Sequence, residues 1–283
     1  MQGHIKGAPM TVGVIQKMRT GLGPPVTYQL PIGESLIELN TLIGHELQIT
    51  FAGVINCLAC GRKITKSFNQ GHCYPCFKRL ASCDQCIIKP ELCHLHEGTC
   101  REPDWGQRHC LQPHVVYLAN SSGLKVGITR ATQVPTRWID QGATQALPIF
   151  NVSERRISGL LEVAMRQVVS DRTDWRRMLK GSPDKLDMIG ERDRLLAQAS
   201  TAIGEVAKVH QDGEVVAAPV IPVCEITYPV HRYPDKIRAH NLDKTPRIEG
   251  RLWGIKGQYL ILDSGVLNIR KFGGYQVSLE HQT

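Results

Sequence analysis

Alternating apolar and polar positions predict antiparallel strands near both ends of the chain. Leu47, Ile49 and Phe51 alternate with polar or small residues, and the run 26–56 is typical of strands with a turn near Gly44. Further along, two apolar runs flank Asp263-Ser264-Gly265, which is a hairpin signal. We detect no internal repeat and expect none.

The middle of the chain changes from strand to helix periodicity. Apolar runs at 115–119 and 124–129 surround Asn120-Ser121-Ser122-Gly123, so they predict a hairpin. A short helix is expected over 135–141. Apolar residues at helical spacing from 157 to 168 predict a longer helix, with Ser153 as its N-cap. Ser182-Pro183 predicts the start of another helix that extends to about His210.

These patterns together predict an α+β fold with several segments. We expect an N-terminal β segment, a zinc-ribbon-like cysteine-rich segment, an α/β core, a bracing helix and a C-terminal β-rich segment. Their predicted bounds are, in order, 1–56, 57–113, 114–180, 181–212 and 213–283.

Composition narrows the class of protein. The chain has 283 residues, 42% of them hydrophobic, and a net charge of +8. It has neither an apolar run of the ~18 residues that a membrane helix needs nor a secretory signal, so we expect a cytoplasmic protein. The segment 115–180 holds ten basic and five acidic residues. This charge indicates either phosphate contact or a solvated helix face.

Nine of the ten cysteines lie between Cys57 and Cys110, a pattern that favours metal over a disulfide scaffold. Two CxxC pairs come first, Cys57 with Cys60 and Cys73 with Cys76. Each pair forms a tight turn that places two thiolates on one side of the backbone. We therefore predict a structural zinc site with four sulfur ligands. Free buried thiols or disulfides are the alternative.

A second zinc site is expected among the cysteines that follow. The preferred ligands are Cys83, Cys86, Cys93 and Cys100, with Cys110 or one of the nearby histidines as a substitute. The histidines concerned are His94, His96, His109 and His114. A third metal ion, or a disulfide with Cys110, remains open at this point. Cys224 stands alone in a predicted strand, where a buried inert thiol is expected.

The hairpin and the helix after it resemble the core of the GIY-YIG nuclease superfamily. The resembling residues are Val115-Val116-Tyr117, Lys125-Val126-Gly127 and Arg137-Trp138, within about 65 residues. More broadly, the chain resembles an uncharacterised bacterial and archaeal family that joins a cysteine-rich segment to such a core. The resembling stretches are CGRKITKSFNQGHCYPCF, CHLHEGTCREPDWG, KVGITR and RWIDQGA.

The resemblance implies a catalytic role for four residues. Tyr117 corresponds to the tyrosine of the first motif, Arg137 to the helix arginine, and Glu162 to the carboxylate that would hold Mg²⁺ or Mn²⁺. Lys125 stands where the second motif has tyrosine, and Gln141 stands where histidine is frequent. Each position also has a structural interpretation, such as packing for Tyr117 or an ion pair with Arg166 for Glu162.

Three functions follow as hypotheses. In the first hypothesis the chain is a zinc-stabilised protein that binds DNA or RNA, with metal-dependent endonuclease activity as an open extension of it. Alternatively, it binds nucleic acid without cleaving it, because the second tyrosine is missing. In the third hypothesis it is a scaffold that docks a protein partner. No membrane partner is expected.

Overall fold

The structure is a computed structural model that describes residues 10–210, 213–219 and 221–282. It divides into two compact units. Of the described residues, the first unit holds 10–77, 179–181 and 226–282. The second unit holds the remainder of 78–225. The predicted segments 1–56 and 213–283 thus both contribute to the first unit, and the cysteine-rich segment 57–113 is divided between the two.

Strands occur in both units. In chain order they are β1 (Met10–Val14), β2 (Arg19–Gly21), β3 (Thr27–Ile32), β4 (Ser35–Glu38), β5 (Glu46–Asn56), β6 (Lys63–Ile64), β7 (His114–Asn120), β8 (Leu124–Arg130), β9 (Gln145–Val152), β10 (Val215–Ala217), β11 (Cys224–Glu225), β12 (Arg247–Lys256), β13 (Tyr259–Leu262), β14 (Gly265–Asn268) and β15 (Tyr275–His281).

Helices are fewer and mostly short. They are α1 (Tyr74–Arg79), α2 (Pro103–Cys110), α3 (Thr136–Asp140), α4 (Arg155–Met165), α5 (Trp175–Met178), α6 (Met188–Gln198) and α7 (Ser200–Lys208). Single 3-10 turns connect several of these elements. Among the described residues, no helix is long and apolar enough to cross a membrane. The predicted α+β fold class, with antiparallel strands near both ends, is confirmed.

The first unit is built on one antiparallel sheet with the order β1-β15-β5-β12-β13-β14, and β6 extends it beside β5. Strands from the two ends of the chain therefore interleave. Leu47 and Ile49 of β5 and Val277 and Leu279 of β15 are almost fully buried, as their alternation with polar residues predicts. A separate small sheet is formed by β2, β3 and β4.

An internal duplication organises this first unit, contrary to our expectation of no repeat. The succession β3, β4, 3-10 turn, β5 recurs as β13, β14, 3-10 turn, β15. Residues 34–49 align with 264–279 at a constant offset and match in hydrophobic pattern, but Gly44 and Gly274 are the one identical pair between them. Similar patterns with different residues hide the repeat from inspection of the sequence.

Hydrogen bonds confirm the duplication, and they show that the two halves exchange strands. The N–H of Gly44 donates to Leu252 O at 2.7 Å, and Leu252 N–H donates to His45 O at 2.9 Å. In the other half, Gly274 N–H donates to Ile15 O at 3.0 Å, and Ile15 N–H donates to Tyr275 O at 2.9 Å. β5 of the first half thus pairs with β12 of the second half, and β15 of the second half pairs with β1 of the first half.

The second unit is built on a sheet with the order β10-β9-β7-β8, and β11 also pairs with β9. The strands β7 and β8 form the predicted hairpin, with Tyr117 opposite Gly127. All seven residues of β7 are buried, because β7 lies between two strands and beneath α4. The α4 residues Ile157, Leu161 and Met165 contribute to the core on that face.

Helix starts in the second unit differ from the prediction. The helix expected from Pro183 begins at Met188, where the Asp187 carboxylate accepts a hydrogen bond from Gly190 N–H at 3.1 Å. The residues before it are held extended, because the buried Gln145 amide bonds to both backbone groups of Leu186. Similarly, α4 begins at Arg155, and the hydroxyl of Ser153 does not cap it.

Candidate functional site

The four cysteines of the two CxxC pairs converge at the end of β5. The Sγ atoms of Cys57, Cys60, Cys73 and Cys76 all lie within 4.8 Å of one another. The first pair follows β5 directly, and Gly61 closes its turn with a positive φ of 72°. The second pair leads into α1.

Backbone N–H groups point at these sulfurs. The N–H of Cys73 donates to Cys57 Sγ at 3.2 Å, and that of Cys76 donates to Cys73 Sγ at 3.4 Å. Burial would raise the pKa of the Cys57 thiol, but hydrogen bonds from backbone N–H groups outweigh it and lower the pKa to about 6. The cluster can therefore hold a metal ion such as zinc, and four thiolates leave no coordination position open.

Of the later cysteines, three lie together in the second unit. Cys86, Cys93 and Cys110 form a buried cluster against Leu95 and Trp105. Cys110 thus lies with two members of the preferred ligand set. The other two preferred ligands are placed separately: Cys83 is buried in a 3-10 turn, and the half-buried Cys100 donates to Glu102 O at 3.6 Å.

The four residues of the nuclease resemblance also lie in the second unit. Tyr117 is on β7, Lys125 on β8, Arg137 on α3 and Glu162 on α4. The Tyr117 ring is fully buried and lies edge-on to Trp138, with ring centroids 5.9 Å apart. Its hydroxyl donates to Gln141 Oε1 at 3.0 Å and also interacts with the Arg137 guanidinium.

Gly127 makes room for the Tyr117 ring on the neighbouring strand. A Cβ atom at Gly127 would lie 2.8 Å from both Cζ and the hydroxyl oxygen of Tyr117. Any larger residue would displace the tyrosine. Gly127 therefore leaves the space that the Tyr117 ring occupies.

The charged groups of this cluster perturb one another. Burial and, to a smaller extent, the Asp171 carboxylate raise the pKa of Glu162 to about 7, against the effects of Arg166 and Lys125. Burial, together with the charge of Arg137, lowers the pKa of Lys125 to about 8. Burial raises the pKa of Tyr117 to about 12. Such perturbation of several neighbouring groups is typical of functional sites.

Two carboxylates beside this cluster are absent from the sequence-based prediction. Asp171 reaches Glu162 because the loop after α4 returns to β8, where Val126 N–H donates to Ser170 O at 2.8 Å. Glu91 comes from the cysteine-rich segment and forms an ion pair with Arg166 at 3.5 Å. No local pattern marks either residue, since both arrive through tertiary packing.

The first unit has a cationic and aromatic surface beside the four-cysteine cluster. A groove of about 550 Å³ there is lined by Arg62, Lys63, Lys66, Phe68 and Tyr74, among others. The Lys66 ammonium lies 5.3 Å from the Phe68 ring centroid, and Tyr74 is 55% exposed. No acidic residue occurs between positions 47 and 83.

Comparison with known proteins gives a family and no activity. A family model described as "Protein of unknown function (DUF2797)" matches residues 44–277, which is most of the chain. No curated protein and no solved structure matches it.

Proposed function

We propose that this chain, which belongs to the DUF2797 family of proteins of unknown function, binds nucleic acid and cleaves phosphodiester bonds with a divalent metal ion. In this proposal the four-cysteine cluster holds a structural zinc ion, and the second unit supplies a GIY-YIG-like catalytic site. A reduced, cytoplasmic setting would suit the many free thiols.

One observation carries the catalytic proposal. Tyr117, Lys125, Arg137 and Glu162 come from four separate elements. Arg137 and Glu162 both influence the ionisation of Tyr117 and of Lys125, and Lys125 influences that of Glu162. A packing tyrosine or a solvated helix glutamate would not require this convergence. The same four positions are those that the GIY-YIG resemblance implies.

The chemistry assigns a role to each group. Glu162 would hold Mg²⁺ or Mn²⁺, and the neighbouring Asp171 carboxylate would strengthen the attraction for a cation. A cation held there would supply a polarised water for attack on phosphorus, with the water's proton passing to solvent as the bond to the leaving oxygen breaks. Arg137 would neutralise the non-bridging oxygens. Lys125 would donate a hydrogen bond to the phosphate or to the leaving oxygen.

Tyr117 fits a positioning role better than that of a general base. With a pKa of about 12 it stays protonated at neutral pH, and its hydroxyl is already hydrogen bonded to Gln141. In this proposal it orients Arg137 and Gln141 beneath the phosphate. Lys125 stands at the position of the second motif's tyrosine and supplies a positive charge there in its place.

The test is cleavage of DNA and RNA panels, single- and double-stranded, with Mg²⁺ or Mn²⁺. We expect the wild type to cleave at least one substrate, and Glu162→Gln to lose at least 100-fold in rate. Glu205→Gln is the matched control, because Glu205 is an exposed glutamate on α7 of the same unit. Equal cleavage by the wild type and Glu162→Gln, or none by the wild type, would refute the catalytic proposal.

The surface beside the four-cysteine cluster favours a second candidate function, which is binding of single-stranded nucleic acid without cleavage. Its exposed Tyr74 can stack on a base while Arg62, Lys63 and Lys66 contact phosphates. We expect Tyr74→Ala to weaken binding of a labelled oligonucleotide about tenfold. Lys66→Gln should reduce the slope of log affinity against log salt concentration by about one. An affinity that is independent of salt, or no binding of the oligonucleotide, would refute this candidate function.

A further inference from the structure

The three later thiols that lie together form one buried cluster in the second unit. Cys86, Cys93 and Cys110 are 7%, 6% and 4% exposed. The Cys93 thiol is close enough to interact with the thiols of both Cys86 and Cys110. Cys86 lies in a 3-10 turn, Cys93 directly follows the next 3-10 turn, and Cys110 ends α2. Burial of single inert cysteines does not explain why three thiols from separate elements meet, whereas a shared metal ion does.

A buried imidazole beside them has one nitrogen without a partner. His114, the first residue of β7, is 0% exposed, and its charge interacts with that of Cys93. Its Nδ1 lies 2.7 Å from Gln112 O, which fixes the proton on Nδ1. Nε2 is then a bare lone pair, and among the described residues it is buried without a hydrogen-bond partner. Histidine ligands of zinc show this arrangement, in which a carbonyl holds one nitrogen and the metal binds the other.

Charge balance supports a metal ion here. Three thiolates and one Zn²⁺ carry a net charge of −1. The half-buried Arg155 guanidinium interacts with all three thiols and is held in place by a hydrogen bond from Nη2 to Ile87 O at 2.8 Å. It would neutralise the site and so reduce the free-energy cost of burying the negatively charged zinc–thiolate group.

We propose that Cys86, Cys93, Cys110 and His114 bind a second structural zinc ion. This ligand set differs from the one that the cysteine spacing predicts, because it omits Cys83 and Cys100 and includes His114. The proposal is independent of whether the protein cleaves nucleic acid.

A competing ligand set shares Cys86. Oxygen and nitrogen atoms of Asp84 and His94 lie within 4.8 Å of one another and of Cys86 Sγ. Asp84, however, forms an ion pair with Arg101 at 2.7 Å and accepts a hydrogen bond from Gln85 N–H at 2.6 Å. His94 Nδ1 lies 2.7 Å from the Thr99 hydroxyl, and its Nε2 lies 3.5 Å from Asp84 Oδ2. These groups are already satisfied, whereas Nε2 of His114 is not.

The site would fasten the cysteine-rich loop to α4, the helix that carries Glu162. Arg155 lies at the start of α4, and Gly159 of the same helix packs directly on the loop. A Cβ atom at Gly159 would lie 2.4 Å from Glu91 N. A zinc ion here would therefore set the position of α4 relative to the loop that brings Glu91 to Arg166.

Zinc content of the full-length chain tests the proposal. We expect about two zinc ions per chain in the wild type, and about one after Cys93→Ser or His114→Ala. Cys100→Ser is the matched control, a nearby half-buried thiol, and should keep two. One zinc in the wild type, loss of zinc from Cys100→Ser, or loss from His94→Ala with retention in His114→Ala would each overturn the ligand assignment.

X-ray absorption of the zinc-loaded wild type tests the same ligands in case the variants fail to fold. A four-sulfur site together with a three-sulfur, one-nitrogen site gives an average of about 3.5 sulfur and 0.5 nitrogen ligands per zinc. An average of four sulfurs, or of three or fewer, would refute the proposed set.

Discussion

Replacement of Glu162 by glutamine should stabilise the protein in a way that depends on pH. In the unfolded chain the carboxyl has its ordinary pKa of 4.5, whereas burial raises it to about 7 in the folded protein. The folded state therefore disfavours the ionised form. The resulting loss of stability is absent below pH 4.5, develops between pH 4.5 and 7, and is complete above pH 7.

The size of the effect follows from the pKa difference. Each pKa unit corresponds to about 1.4 kcal/mol, so the upper limit is about 3 kcal/mol. Glu162 is only half-buried, and solvent screening reduces this to about 1–2 kcal/mol. Glutamine has nearly the same shape and no charge. Glu162→Gln should thus be about 1–2 kcal/mol more stable than the wild type at pH 8, and nearly equal to it at pH 5.

Urea unfolding at pH 5, 6, 7 and 8, without added divalent ions, measures this difference. Glu205→Gln should show no such trend. Addition of Mg²⁺ or Mn²⁺ at pH 8 should stabilise the wild type but not Glu162→Gln, since only the carboxylate binds the cation. A stability difference that does not change with pH, or a less stable Glu162→Gln at pH 8, would refute the reasoning.

Three further variants test other features of the two units. Gly127→Ala should destabilise the protein by about 1–3 kcal/mol in thermal or urea unfolding, because its Cβ would clash with the Tyr117 ring; Gly204→Ala, in open space on α7, should instead stabilise by about 0.5–1 kcal/mol, and equal effects would contradict this explanation. Tyr117→Phe should cost about 1 kcal/mol, since it leaves Gln141 Oε1 without its donor, and unchanged stability would show that the hydrogen bond is not formed in solution. Cys60→Ser should remove about one zinc ion per chain by elemental analysis, whereas retention of the full metal content would exclude the four-cysteine site.

The strands were the predictable part of the fold, for a local reason. Alternation along 47–51 and the turn residues 263–265 fix both the strands and the hairpin between β13 and β14. The duplication could not be predicted in the same way. Its two copies preserve burial and hydrogen-bond geometry, and these depend on hydrophobic character rather than on residue identity.

Helix starts were harder to predict, because they depend on tertiary partners. Ser182-Pro183 has the composition of a helix start, but the distant side chain of Gln145 holds Leu186 in an extended conformation. The helix begins only after that contact, at Met188. Local sequence preference amounts to less than 1 kcal/mol per residue, and a pair of buried hydrogen bonds outweighs it.

The candidate sites also differ in whether they depend on local sequence or on tertiary structure. Regular CxxC spacing identified Cys57, Cys60, Cys73 and Cys76, whose sulfurs are close together. The involvement of Asp171 and the orphaned nitrogen of His114 depends on how the second unit folds. Spacing along the chain contains no information about either.

The strand exchange in the first unit has a consequence for the order of folding during synthesis. The sheet partner of β1 is β15, which follows it by more than 250 residues, and the whole of the second unit is encoded between them. Once 78–225 has left the ribosome, the second unit can collapse on its own local contacts, while β1 and β5 still have an unpaired edge. For that interval the exposed edges of β1 and β5 are open to pairing with another nascent chain. The arrival of β15 between β1 and β5 closes both edges in a single step.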